Sequence, residues 1–388
     1  MKKSSNYILI CVLLLLLSAC IKDNISIPAD LTNNPQSSVI DISVNDIFNN
    51  HKDNINTVGL SIGILKGGET YFYGYGETKK GTNIVPDENS IFEIGSITKT
   101  FTSIIATEML LNNNLDIETN IKAYLPNNLP TLNRNGIEVN FKHLLSHTAG
   151  FPFMPSNFRA KPYSDASKAW EEYDDRLLFS FLDNLHLSSV PFSKMQYSNA
   201  GMAVVGAAIE KNYNQDYRNV LQNRLLTPLN LNNTSAYFER LDEKKWSAGY
   251  SFNGKETDYF KSLNALNSAG VIKSTTKDLL TYASANINIP ETVLGNAIKL
   301  SHEVQFKEYE ENNYYKIRSC SGWFEYVNNN FPSEKFIWHN GATGGYNSEM
   351  FISLDHESAL VLLYNKRTLD SSNRELFVAE MLQLLLNY

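Results

Sequence analysis

The stretch FEIGSITKTFTS, Phe92 to Ser103, places Ser96 and Lys99 where strand-type sequence gives way to a helix. Upstream, VGLSIGILKGGETYFYGYGE holds two runs rich in Ile, Leu, Tyr and Phe around Lys66-Gly67-Gly68-Glu69, a hairpin signal. Downstream, Phe101, Ile104, Ile105, Met109 and Leu110 recur at helical spacing until Asn112 to Asn114 end the pattern. A serine hydroxyl needs a base within hydrogen-bond reach to act as a nucleophile, and residues three apart on a helix share a face. Lys99, desolvated there, would lose its proton near neutral pH.

Spacing alone does not single this serine out, because Ser274-Thr275-Thr276-Lys277 repeats it. There the hydroxyls precede KDLLTYA and read as helix caps, with Thr275 and Asp278 at capping-box spacing.

The rest of the chain frames this site. Its 388 residues, 43% hydrophobic and 19% charged, have a globular composition and exceed one small core, so one large two-lobed domain or two domains are expected. The net charge of −7 carries no basic block, which argues against a nucleic-acid partner. Cys-x-x-Cys pairs, His-Glu-x-x-His and a full phosphate-binding Gly-x-x-x-x-Gly-Lys-Ser/Thr loop are absent from the sequence, Gly249 to Lys255 being followed by Glu256, so neither metal nor cofactor is expected. The Gly-x-Ser-x-Gly pattern of α/β-hydrolases occurs at Gly59-Leu60-Ser61-Ile62-Gly63, inside the first strand-type run and not at a strand-to-helix elbow.

Residues 140–240 read as mostly helical, in pieces broken by prolines, and four short strand-like runs follow between Ser321 and Asn365, then a helix over Asn373 to Leu386. The expected fold is α/β (α+β): a central antiparallel sheet built from both chain ends, flanked by helices, with an inserted mostly helical lobe. The lobes are 43–95 plus 270–388 for the α/β part and 96–269 for the helical part.

The N-terminus, MKKSSNYILICVLLLLLSAC, has two lysines and an apolar run about half as long as a membrane span requires, which reads as a secretory signal over 1–19. Leu17-Ser18-Ala19-Cys20 resembles a bacterial lipoprotein box, which implies lipidation of Cys20 and an N-terminal lipid anchor in the bilayer. Residues 20–42, rich in Asn, Ser and Pro, read as a flexible tether. An exported, membrane-anchored protein on the periplasmic or cell-surface side is expected, a monomer by default.

Three motifs in order, Ser96-Ile97-Thr98-Lys99, Tyr197-Ser198-Asn199 and His339-Asn340-Gly341, give the chain from about Val58 to Tyr364 a resemblance to the penicillin-recognising serine hydrolases. Within that family it is similar to the branch of class C β-lactamases, D-alanyl-D-alanine carboxypeptidases and related esterases. The segments FKHLLSHTAGF, QYSNAGMAVVGAAIE and SAGVIKSTTKDLLTYA resemble the family's neighbourhoods as well. Other Tyr-x-Asn and Lys-x-Gly matches, at Tyr217, Tyr326 and Lys66, fit neither the order nor the neighbourhood.

The resemblance implies an acyl-enzyme on Ser96, with Lys99 and Tyr197 as proton-transfer groups and the Tyr197 pKa lowered by a charged Lys99. It implies that Asn199 bonds Lys99 and a substrate amide. His339 would lie on an edge strand and hold a substrate carboxylate while charged, with a raised pKa. Gly341 would clear room for substrate, and the N–H groups of Ser96 and Ala342 would form the oxyanion hole. His143 and His147, at helical spacing, read as structural. Walls at 151–175 and 300–320 are expected to choose the acyl acceptor. The substrate is a small molecule or peptide: a D-alanyl peptide, a D-amino-acid peptide or a small ester. A class C-like β-lactamase is the alternative, and a non-catalytic binding module for peptidoglycan peptides is the alternative of another class.

Overall fold

The computed structural model describes residues 27–159, 166–369 and 372–387, with residue 29 excepted. The signal sequence and Cys20 lie outside the described residues. Among the described residues, no helix is long and apolar enough to cross a membrane.

The chain enters as helix α1 (Val39–Ile55), started by a capping box between Ser38 and Asp41. The hairpin follows as β1 (Gly59–Lys66) and β2 (Glu69–Gly76). A two-residue strand β3 (Phe92–Glu93) leads through a single 3-10 turn, Gly95–Ile97, into α2 (Thr98–Asn112). The middle of the chain supplies α3 (Phe141–Leu145) and α4 (Asn199–Tyr213). Then come β4 (Lys273–Ser274), α5 (Thr276–Ile287) and α6 (Val293–Ser301). Six strands complete the sheet: β5 (Phe306–Glu311), β6 (Tyr315–Ser319), β7 (Phe324–Asn328), β8 (Phe336–Ala342), β9 (Asn347–Ser353) and β10 (Ser358–Tyr364). Helix α7 (Glu375–Asn387) closes the described chain.

Eight of these strands form one antiparallel sheet in the order β2-β1-β10-β9-β8-β7-β6-β5, so both chain ends build it. Its two faces are covered separately, as period-two alternation requires. On one face Trp338, Phe351, Leu362 and Tyr364 pack with α1 and α7. On the other, Ile337, Met350, Ile352 and Val361 join a cluster that runs through Phe101 and Ile104 of α2 to Leu144 and Val204. Helix α2 is thus a central helix: its residues from Thr98 to Leu110 are buried on every side. Its threonines are satisfied inside, Thr102 by Tyr217 Oη at 2.6 Å and Thr100 by the Tyr282 hydroxyl, which donates to it at 3.0 Å.

Two expectations need correction. The segment taken as a tether as far as 42 is attached well before that residue: Ile27 is buried, and Leu31 and Asn33 hydrogen-bond the backbone of β2. The 300–320 region, expected as a cleft wall, is mostly the strand pair β5 and β6 at the end of the sheet.

Candidate active site

Ser96 sits in the 3-10 turn at the mouth of α2, half-buried, and Lys99 one turn on is fully buried. Lys99 Nζ lies 2.9 Å from Ser96 Oγ and donates to the Ala269 carbonyl at 2.6 Å. No carboxylate pairs with it among the described residues, and burial holds its amine well below the ordinary lysine value. Burial therefore favours the neutral amine, the form that takes a proton, beside the serine hydroxyl.

The second Ser-x-x-Lys is taken apart by the fold. Ser274 is buried on β4 against Thr234, Lys277 is exposed, and Thr275 caps α5 by accepting the Asp278 N–H. The Asp278 carboxylate serves Asn233 and Thr234 instead of completing a capping box. Tyr217 likewise spends its hydroxyl on Thr102 in the core.

The Tyr197 phenol lies beside Ser96, and Lys99 Nζ stands 5.0 Å from its ring centroid. Burial pushes its phenol above the ordinary tyrosine value, against the expected lowering. Burial of Lys99 disfavours the cation that would stabilise a phenolate. The ring packs against His147, centroids 4.5 Å apart and planes tilted by 40°. His147 Nδ1 accepts the Ser198 N–H at 3.3 Å, and its carbonyl accepts the Gln196 N–H at 2.7 Å. His147, read from sequence as merely structural, therefore fixes both neighbours of Tyr197. His143 instead accepts the Asn140 N–H in the cap of α3. Among the described residues no group of three His, Cys, Asp or Glu side chains could hold a metal ion.

Asn199 opens α4 and lines the cleft, but its amide lies 3.5 Å from Met154 Sδ and makes no bond to Lys99. The Lys99 amine is already taken by Ser96 and Ala269.

His339 departs furthest from expectation. It lies on β8, an interior strand of the sheet and not an edge. β7 pairs only with Phe336–Trp338, so His339–Ala342 has a partner on the β9 side alone. The imidazole is fully buried, Nδ1 lies 2.6 Å from the Asn340 carbonyl oxygen, and Nε2 has no partner. Loss of water on burial is the main cause that pushes its pKa down to about 3. It is a neutral imidazole and does not hold a carboxylate by charge.

Gly341 also has a reason other than the expected one. A Cβ there would fall 2.0 Å from the Ile94 carbonyl oxygen and 2.5 Å from Ser348 Oγ, so its bareness lets β8 close on the segment before Ser96. Gly95 does the same from the other side: it has φ +50°, and a Cβ on it would lie 2.7 Å from Ala342 N. The two glycines bring Ser96 and the Ala342 N–H to one place, and Ser348 secures the contact by donating to Ile94 O at 2.8 Å.

These residues open on a cleft of about 1290 Å³. Phe153, Phe158 and Trp170, from the expected 151–175 wall, line it, whereas Tyr315 is the sole contribution of 300–320. Residues 251–260 line it as well, with Phe252 and with Phe260 packed edge-on to Trp170, and Arg367 and Arg374 are the arginines of the lining.

Residues 44–384 match the protein family described as Beta-lactamase. A β-lactamase of Providencia stuartii is 26% identical over 59% of this chain and 55% of its own length. Penicillin-binding protein 4* of Bacillus subtilis (strain 168) is 26% identical over 76% of this chain and 64% of its own length. The chain thus spans just over half of the first relative and under two thirds of the second. Among solved structures, a β-lactamase/D-alanine carboxypeptidase from Pseudomonas syringae superposes with TM-score 0.73 at 20% identity, covering 89% of this chain and 99% of that one.

Proposed function

Because the chain belongs to the Beta-lactamase family, we propose that it is a serine hydrolase that cleaves an amide or ester bond through an acyl-enzyme on Ser96. The observation that carries this reading is Lys99, a buried amine without a carboxylate partner 2.9 Å from the Ser96 hydroxyl. Ser96 Oγ attacks the carbonyl carbon while its proton passes to Lys99 Nζ. The oxyanion forms against the N–H groups of Ser96 and Ala342. Tyr197, un-ionised and beside Ser96, hands a proton to the departing amine or alkoxide and is refilled from Lys99. Water then attacks the ester on Ser96, with the same groups working in reverse.

D-alanyl peptides, D-amino-acid peptides and small esters remain the substrate classes we favour over β-lactams. A neutral His339 stands where class C enzymes carry lysine, and the aromatic lining of Phe153, Phe158 and Trp170 suits an apolar acyl group. Of the two arginines lining the cleft, Arg367 and Arg374, we assign Arg367 to a substrate carboxylate. The names of relatives include both activities: the Pseudomonas syringae protein is titled β-lactamase/D-alanine carboxypeptidase. We place the protein outside the cytoplasmic membrane through Cys20, on the strength of the Leu17–Cys20 box. Initial rates on a nitrophenyl butyrate, a D-alanyl-D-alanine peptide and a cephalosporin test the reading. Ester or peptide turnover exceeding cephalosporin turnover is expected. Silence on all three would favour the non-catalytic binding module.

A further inference from the structure

The amine of a lysine hangs on a flexible four-carbon stem, so a lysine base needs its nitrogen held from outside. Lys99 Nζ has two such holds, the Ser96 hydroxyl and the Ala269 carbonyl. A backbone carbonyl places an amine only as firmly as its own segment is placed. That segment, 267–272, is fastened by α2 itself. Thr102, one turn after Lys99, donates its hydroxyl proton to the Ser268 carbonyl at 2.7 Å. Its single proton being spent there, Tyr217 is the donor in the 2.6 Å contact between the two hydroxyls. Thr98, directly before Lys99, accepts the Ile272 N–H at 3.1 Å, and the Ile272 carbonyl accepts the Ile94 N–H at 3.0 Å.

Thr98 and Thr102 are four apart and share a face of α2. Both ends of the segment are thus tied to the helix that carries Ser96 and Lys99. Helix α4 closes on it from the other side: Ser268 Oγ donates to the Met202 carbonyl at 2.8 Å, and a Cβ on Gly206 would fall 2.3 Å from that Oγ. Thr98, Thr102, Ser268 and Ile272 are all buried, so water does not compete for these bonds. We propose that Thr98 and Thr102 are positioning residues for the base: by tying Ile272 and Ser268 to α2 they fix the Ala269 carbonyl, and through it the reach of Lys99 Nζ to Ser96. The inference rests on Ser96 being the nucleophile and Lys99 its base.

The test takes Tyr217→Phe as its reference, because Thr102→Val alone would leave that phenol buried without an acceptor. The burst rate of nitrophenolate release, KM and melting temperature are read for Tyr217→Phe, for Thr102→Val combined with it, for Thr98→Val and for Thr102→Ser. Tyr217→Phe keeps the bond from Thr102 to Ser268 and should hold the burst rate within about threefold of wild type. Adding Thr102→Val should lower the rate roughly tenfold or more with KM little changed, since a small misplacement of a reacting group is costly, and Thr98→Val should do the same. Thr102→Ser, which keeps the hydroxyl, should restore it. The residual rate of Ser96 labelling by a fluorescent penicillin is then read in Lys99→Ala, with and without Thr102→Val and Tyr217→Phe. The added pair should cost nothing further there, because a residue that acts only through Lys99 has nothing left to position. A wild-type burst rate in the folded Thr102→Val and Tyr217→Phe protein would overturn the inference, as would an equal fractional loss with Lys99 already gone. A wild type that shows neither a burst nor a Ser96 adduct would remove the serine-hydrolase reading first, and this inference with it.

Discussion

Replacing Gly341 with alanine should disable the site while leaving the fold. The added Cβ would sit 2.0 Å from Ile94 O and 2.5 Å from Ser348 Oγ. The oxygen is a backbone atom held by the Ser348 hydroxyl at 2.8 Å, so it cannot swing aside as a side-chain tip would. An acceptable carbon–oxygen contact is about 3.3 Å, which demands a displacement of roughly 1.3 Å between β8 and the segment entering Ser96. The same displacement carries Ala342 N away from Ser96. An oxyanion donor works only within about 2.7–3.1 Å, and losing one costs roughly 3 kcal/mol, or about 100- to 1000-fold in rate. Ester turnover and the rate of labelling by a fluorescent penicillin read this directly, with circular dichroism to show that the sheet persists. A folded Gly341→Ala retaining activity within about threefold of wild type would refute the account of the two-glycine contact.

Other consequences follow from the same coordinates. Lys99→Arg puts a permanent charge where no carboxylate waits and removes the base, so ester turnover should drop about 1000-fold or more; near-normal turnover would exclude Lys99 as the proton acceptor. His147, His302 and His339 are buried with imidazoles held below the ordinary value of 6.5 by loss of water, His302 at about 4 and His339 at about 3. The unfolded chain therefore binds these protons more readily, so stability is complete above about pH 6.5 and falls as pH drops. His302 and His339 should each cost about 2 kcal/mol at pH 5, and urea titrations giving equal stability at pH 7 and 5 would contradict their neutrality.

How much of this was legible in the sequence depended on the kind of signal. The Gly59–Gly76 hairpin, the helix after Ser96 and the four strands from Phe324 to Tyr364 show themselves through apolar periodicity, and the structure contains each. Strand β5, FKEYEE, does not, because it lies at the sheet's end with five of its six side chains exposed and therefore has no buried face to mark it. Motif order brought Ser96, Lys99 and Tyr197 together correctly in space. The properties of those groups were beyond it. Whether His339 is charged depends on burial by segments far away in the chain, and the purpose of Gly341 depends on the Ile94 carbonyl. The Ala269 carbonyl that holds Lys99 has no side-chain signature at all. Gly95 was visible, but one glycine before a serine conveys nothing until its left-handed φ and the approach of Ala342 are known.

The central claim, that Ser96 is an acylating nucleophile, is tested most directly by intact-mass spectrometry of the protein from about residue 25 onward, incubated with a fluorescent penicillin beside Ser96→Ala. One adduct per molecule on the wild type, and none on the variant, is the predicted result. An adduct of equal yield on Ser96→Ala, or a wild type that stays unmodified and hydrolyses neither nitrophenyl esters nor D-alanyl peptides, would contradict it.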